Sequence, residues 1–349
     1  MNKMPASRAD LRRPDAFKRK AVKISTDEVI RTGHLPGMEI PLVVEPAVAE
    51  IDLVDWAANN RERVEELLLQ HRALLFRNFN TKTVPAFERF ITATSNGVLM
   101  EYRDRSSPRH EVGEKIYTST DYPPDQSIFL HNEGTYWMTW PLKIYFFCLL
   151  ASPQGGETPI ADTRKIFSRI SPEARQGLID KKIMYQRNFN QGFGLTWQAV
   201  FQTTDRAVVE QYCRRNSIEF EWKDGDRLRT YQIRPAVARH PRTGETVWFN
   251  HATFFNVSTL EASMRDALLE MFDEADLPFN TYYGDGSAIQ PSVLDEFREA
   301  YKREKVSFTW QAGDILMLDN MSVAHGRSPY AGERKVLVGM ADPFDRVDD

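Results

Sequence analysis

Cysteine is nearly absent from this chain of 349 residues: Cys148 and Cys213 are the only two, far apart in sequence. Two such thiols build neither a disulfide framework nor a CxxC zinc site, which points to a reducing cytosol. No apolar run reaches membrane-spanning length. The longest, residues 144–151, has the length of a buried strand. Positive charge is not in excess: 45 Lys and Arg against 49 Asp and Glu leave a net −4, which excludes bulk attraction to nucleic acid or an anionic membrane. There is no internal repeat, no low-complexity linker, and no H-E-x-x-H motif of the helical zinc hydrolases. Histidine is scarce, seven in all.

What is present begins with a basic tail over residues 1–25, rich in Lys and Arg and without the apolar stretch of a secretory signal. Such a segment reads as a solvated, poorly ordered tail. Residues 26–349 read as one continuous domain. Strands are expected at 40–44, 74–79, 143–150, 231–238, 246–249, 306–310, 314–318 and 335–340. Helices are expected at 55–70 and 85–94, after the Ser171-Pro172 pair, from Ser258 to 275 with a Ser258-x-x-Glu261 capping box, and after an N-cap at Ser292. Residues 96–126 form a long polar connection, a kind that is usually functional inside a compact domain. Residues 185–230, broken by Gly192, Gly194 and Gly225, read as an insertion able to cover a site. Many short strands with helices at the start and late in the chain predict an α+β fold around a jelly roll.

The chemistry lies in a split constellation: His131-Asn132-Glu133, then His325, then Arg334 nine residues later. In a strand, residues i and i+2 share a side, so His131 and Glu133 can reach one ion while Asn132 points away. A distant histidine completes a face of two imidazoles and one carboxylate, leaving positions open for other ligands. On spacing alone this set describes non-haem Fe(II) or hydrolytic zinc. A guanidinium one hairpin beyond His325 favours iron, because its planar fork suits a carboxylate co-substrate.

These residues, with Leu74-Leu75-Phe76-Arg77-Asn78-Phe79, Gly155-Gly156-Glu157-Thr158 and His325-Gly326-Arg327, resemble the TauD/TfdA family of Fe(II)- and 2-oxoglutarate-dependent dioxygenases over nearly the whole chain. Arg105-Ser106-Ser107-Pro108-Arg109, Tyr117 to Tyr122 and Trp140-Pro141-Leu142-Lys143 are similar to its SyrP-like branch, which is close to clavaminate synthase. The resemblance implies a double-stranded β-helix, Fe(II) on His131, Glu133 and His325, and 2-oxoglutarate on Thr158 and Arg334, with O2 as the oxidant. It also implies substrate contacts in the long loop before the metal motif and around it: Tyr102, Arg103, Arg105, Asn132, Asn250 and His251.

Two departures refine it. Most of the family carries Asp where this chain has Glu133, and Glu is the choice of amino-acid-hydroxylating members. Sulfonate-using members carry a second Arg four residues after the first, where this chain has Val338. Because related halogenases replace the carboxylate with a small residue, Glu133 favours hydroxylation, desaturation or cyclisation. The expected substrate is an amino acid or a derivative in secondary metabolism, free or tethered to a carrier protein, and a homo-oligomer is compatible with the sequence. Another free organic acid, a phosphonate or a sulfonate is the alternative substrate. A non-catalytic β-helix binding protein is the alternative of another class.

Overall fold

A computed structural model describes residues 29–102, 104, 110–119, 122–190 and 192–346. The basic tail, Arg103, Arg105 and Arg109 lie outside the described residues. An eight-stranded sheet runs in the order Ile30–His34, Leu42–Pro46, Ala73–Phe76, Ile315–Asp319, Thr139–Leu150, Lys335–Asp345, Ile116–Thr118 and Glu111–Gly113. A three-stranded sheet, Ile128–His131, Val323–Arg327 and Ile160–Asp162, packs across it. Together they make the jelly-roll core.

Period-two alternation decides what each face of the large sheet covers. Ile144, Phe146, Leu316, Leu318 and Val338 point toward the small sheet and meet Leu130, Ile160, Val323 and Ala324. Their neighbours Tyr145, Phe147, Met317 and Leu337 point the other way. They are covered by Trp56, Leu67, Phe87 and Phe90 from the N-terminal helices. Both faces are therefore apolar, which is why these strands read as continuous hydrophobic runs.

Several expected elements take a different form. The helix expected at 55–70 is two, Leu53–Asn59 and Arg61–His71, because Asn60 leaves helical geometry and its side chain donates to the Trp56 carbonyl at 2.8 Å. The helix expected from Ser258 starts at Ala262 and ends at Met271. Ser258 instead lies in a short 3₁₀ turn, its amide capped by Asn256 Oδ1 at 3.0 Å. Ser292 lies inside the helix Pro291–Glu304, whose first position goes to proline, as its fixed φ favours. Residues 306–310 make one bridge, Val306 to Ile160, and no strand; Phe308 and Trp310 pack edge to face instead.

The hard-to-parse stretch is regular. Ile183–Phe189 joins Glu219–Lys223, Arg227–Arg234 and Phe279–Tyr283 in a four-stranded sheet. Helices Trp197–Phe201 and Arg206–Arg215 close a small core of Phe189, Trp197, Val209 and Leu228 beneath it. Among the described residues no helix is long and apolar enough to cross a membrane.

Candidate metal centre and its two cavities

His131 ends a strand of the small sheet, and His325 lies directly opposite it in the antiparallel register. That pairing sets the two ring centroids 4.6 Å apart. Close approach of the strands depends on Gly326, where a Cβ would lie 2.5 Å from the Ile128 carbonyl oxygen. The strand stops at His131, and Asn132 to Gly134 turn away from it. Gly134, at φ +70°, supplies the left-handed residue of that turn. Glu133 thereby comes beside the histidine pair. One ligand atom from each of His131, Glu133 and His325 lies within 4.8 Å of the others; Glu133 and His325 are buried and His131 is half-buried.

The surroundings prepare these groups as donors. His131 Nδ1 lies 2.8 Å from the Phe129 carbonyl, which can only accept, so the proton sits on Nδ1 and the Nε2 lone pair is left to a metal. Phe254 stacks on the His131 ring at 4.2 Å. His251 stands behind, its Nε2 2.6 Å from the Asn132 carbonyl; burial, and then the proximity of His131, push its pKa down to about 3, so it stays neutral. Asn320 holds the Glu133 turn. Its Oδ1 accepts from the Glu133 amide at 2.8 Å, and its Nδ2 donates to the carbonyls of Glu133 at 2.9 Å and Pro141 at 2.8 Å. Replacing Asn320 with alanine strands these buried groups. The expected cost is about 2–4 kcal/mol of stability, with metal affinity falling roughly ten- to a hundredfold. Urea unfolding and metal titration measure both, and unchanged metal affinity would show that Glu133 is oriented by something else.

Two cavities meet at Ile128 and His131. The smaller is lined by Ser119, Phe146, Thr158, His325, Arg334 and Val338. Arg334 is fixed there: its Nε donates to the Gly156 carbonyl at 2.8 Å and its Nη1 to Ser119 Oγ at 3.0 Å, with Nη2 3.5 Å from Thr158 Oγ1. Trp310 Nε1 donates to the same Thr158 hydroxyl at 3.2 Å. The glycine pair has a packing reason. A Cβ on Gly155 would collide with the Pro329 carbonyl, and one on Gly156 would lie 2.9 Å from Arg334 Cδ, both at positive φ. Burial, and then the neighbouring Arg327, pull the Arg334 pKa down to about 10, still charged at neutral pH. A half-buried guanidinium with a hydroxyl at 3.5 Å, in the cavity that His131 and His325 also line, can pair with a small anion such as a carboxylate.

The larger cavity, about 330 Å³, lies on the other side of His131. Phe129, Phe189, Phe193, Phe254, Phe255 and Phe279 give it aromatic walls, and Arg187 adds a cation. The four-stranded sheet and the segments 193–195 and 254–261 supply most of this lining. Arg327 ties down its rim, donating to the carbonyls of Tyr122, Pro123 and Gln126 at 2.6–3.0 Å.

Four residues expected to touch substrate lie elsewhere. Tyr102 is wholly buried among Tyr117 and Trp137. Asn132 donates to the Asn320 carbonyl at 2.6 Å and lines neither cavity. Asn250 donates to the Ala236 carbonyl at 2.7 Å and accepts from the Ala252 amide. His251 supports His131 rather than lining either cavity. Arg187 and Asn320 were not expected from sequence. The ion pair of Arg187 with Asp104 spans 83 residues and the Asn320 bridge to Glu133 spans 187, so neither contact shows as a local motif.

Comparison with known proteins agrees with this geometry. Residues 37–341 match the family described as taurine catabolism dioxygenase TauD, TfdA. The dapdiamide synthesis protein DdaC of Enterobacter agglomerans is 39% identical over 280 residues, 80% of this chain and 85% of that protein. A clavaminate synthase-like protein of Arabidopsis thaliana is 26% identical over 326 residues, 88% of this chain and 95% of that one. Among solved structures, the fold is similar to PvcB of Pseudomonas aeruginosa, described as an Fe, alpha-ketoglutarate dependent oxygenase from an isonitrile synthetic pathway. The TM-score there is 0.52 at 16% identity, over 91% of this chain and 93% of that one.

Proposed function

This chain belongs to the TauD/TfdA dioxygenase family, and from that premise we propose that His131, Glu133 and His325 hold Fe(II) while Thr158 and Arg334 hold 2-oxoglutarate. One observation carries the reading: three converging donors, of which His131 and His325 line the cavity that also contains a half-buried, pre-oriented arginine. Zinc hydrolysis would give that arginine no task. A non-catalytic binding protein would have no use for the three donors. When bound, Fe(II), 2-oxoglutarate and O2 supply the oxidation, with 2-oxoglutarate leaving as succinate and CO2 while a substrate C–H bond is attacked.

The chain's own residues orient and protect. The carbonyl of Phe129 keeps the His131 proton on Nδ1. Asn320 aims the Glu133 turn. Arg334 and Thr158 present donors to a carboxylate, while Val338 leaves that cavity without the second arginine of sulfonate-using relatives. The phenylalanine walls exclude water from the larger cavity, where substrate lies beside His131.

The substrate in this reading is an amino acid or amino-acid-derived metabolite of secondary metabolism. Support comes from Glu133 and from the relative whose name assigns it to dapdiamide synthesis. The outcome is hydroxylation, desaturation or cyclisation. The reading admits a substrate presented free or on a carrier protein, and a chain acting alone or as a homo-oligomer. Cys148 and Cys213, both buried and free, are compatible with a reducing cytosol. Anaerobic addition of Fe(II) and then 2-oxoglutarate is expected to produce a weak visible charge-transfer band. No band, together with tight zinc binding, would overturn the assignment.

A further inference from the structure

The turn that joins the strands Ile315–Asp319 and Val323–Arg327 serves the metal centre twice. It carries Asn320, whose side chain clamps the Glu133 backbone, and it leads into the strand that bears His325. Asp319 shapes this turn. Its Oδ1 accepts from the amides of Met321 at 3.0 Å and Ser322 at 2.9 Å, while the Asp319 amide donates to the Arg72 carbonyl at 2.8 Å. The second carboxylate oxygen, Oδ2, lies 2.8 Å from Nε2 of His240. His240 comes from another part of the chain, the turn between the strands Val237–Arg239 and Thr246–Trp248. It is 3% exposed and Asp319 is 5% exposed, so the contact is shielded from water.

The neighbours of His240 fix its tautomer. Nδ1 faces two backbone amides, those of Arg242 at 3.2 Å and Thr243 at 3.1 Å, and can only accept from them. The ring proton therefore sits on Nε2 and points at Asp319. A buried carboxylate keeps one orientation when both its oxygens are hydrogen-bonded. With Oδ2 held by His240, Oδ1 stays where it caps Met321 and Ser322. We propose that His240 and Asp319 are positioning residues of the metal centre: the imidazole orients the carboxylate, the carboxylate sets the turn over residues 319–322, and Asn320 passes that setting to Glu133. This rests on the proposed oxygenase reading and deepens it, adding to the three donors two residues that touch neither metal nor substrate and decide where Glu133 stands.

Side-chain reach separates this role from ordinary packing. The amide nitrogen of glutamine is as many bonds from Cα as His Nε2, and the amide oxygen of asparagine as many as His Nδ1. His240→Gln thus keeps a donor for Asp319 and gives up the cap on Arg242 and Thr243, whereas His240→Asn does the reverse. Asp319→Asn keeps Oδ1 on the turn and turns a donor toward His240 in place of the acceptor. The full chain is titrated with Co(II) alone, whose visible d–d bands report ligand geometry, and each metal-free variant is unfolded in urea. His240→Asn and Asp319→Asn are expected to bind Co(II) roughly tenfold more weakly and with altered bands. His240→Gln is expected to keep the wild-type affinity and bands even where its urea midpoint falls. Unchanged Co(II) binding in His240→Asn, or a loss in His240→Gln that follows its stability, would describe a histidine that only holds its own turn and would overturn the proposal. Should His240→Asn fail to fold, Asp319→Asn tests the same contact from its other side, and wild-type Co(II) binding there would overturn it equally. The Fe(II) and 2-oxoglutarate band of the wild-type chain is recorded first. Its absence would fail the oxygenase reading, whereas a normal band with unaffected variants would fail the positioning role alone.

Discussion

Glu133→Ala is expected to abolish substrate-dependent succinate formation. The two histidines sit on paired strands whose register is fixed by backbone hydrogen bonds, so they remain in place. What disappears is the one anionic donor of the set, and with it the charge that offsets a divalent ion. Losing about 4 kcal/mol of metal binding is worth roughly a thousandfold in affinity. The bound iron and the activity should fall together, while far-UV circular dichroism stays that of wild type, because Asn320 holds the turn through the Glu133 backbone. Glu133→Asp separates charge from reach: it keeps the anion and withdraws it by one methylene, so partial metal binding is expected. Full activity in Glu133→Ala would remove this residue from the metal shell.

Arg334→Gln is the second large effect, with a different kinetic signature. The guanidinium is held at the end of the smaller cavity by Gly156 and Ser119, away from the metal donors. Removing it leaves a buried carboxylate of the co-substrate without its charged partner, a loss of about 3–4 kcal/mol. The expected result is a KM for 2-oxoglutarate raised by roughly two to three orders of magnitude, with kcat at saturation changing far less. Arg334→Lys keeps a charge without the fork and is expected to fall between the two. The pH dependence has a definite sign. Burial lowers this pKa to about 10, so the group is charged below that value and neutral above it. Affinity for 2-oxoglutarate should therefore be lost as pH rises through about 10, and not on the acid side from this group. An unchanged KM in Arg334→Gln would place the co-substrate elsewhere.

The jelly-roll strands were legible because both faces of the large sheet are buried. Strands such as Thr139–Leu150 then read as unbroken apolar runs. The metal motif was legible from its residue types and not from the strand period: the strand ends at His131, and the turn to Gly134 brings Glu133 beside the histidine pair. Asn320 left no signal, since a side-chain amide that bridges to Glu133 across 187 residues has no local pattern. The strand Ile183–Phe189 was missed because its centre is polar. Gln186 and Asn188 are buried, but their amides are satisfied by the carbonyls of Ala275 and Leu277, so the hydrophobic alternation is missing. Arg187 was hidden with it. The boundary near Ser258 failed because Asn256, two residues earlier, takes the capping role.

The two cavities that share His131 have different builders. The smaller cavity, proposed for the co-substrate, is lined by jelly-roll residues such as Phe146, His325, Arg334 and Val338, whereas the larger, proposed for the substrate, draws Arg187, Phe189 and Phe279 from the four-stranded sheet. Natural variation therefore has two separate registers in which to act. Changes in residues 183–195, 254–261 and 278–279 can retune which molecule is oxidised while the oxidising machinery stays untouched. A lineage can diversify its products this way without first passing through an inactive enzyme.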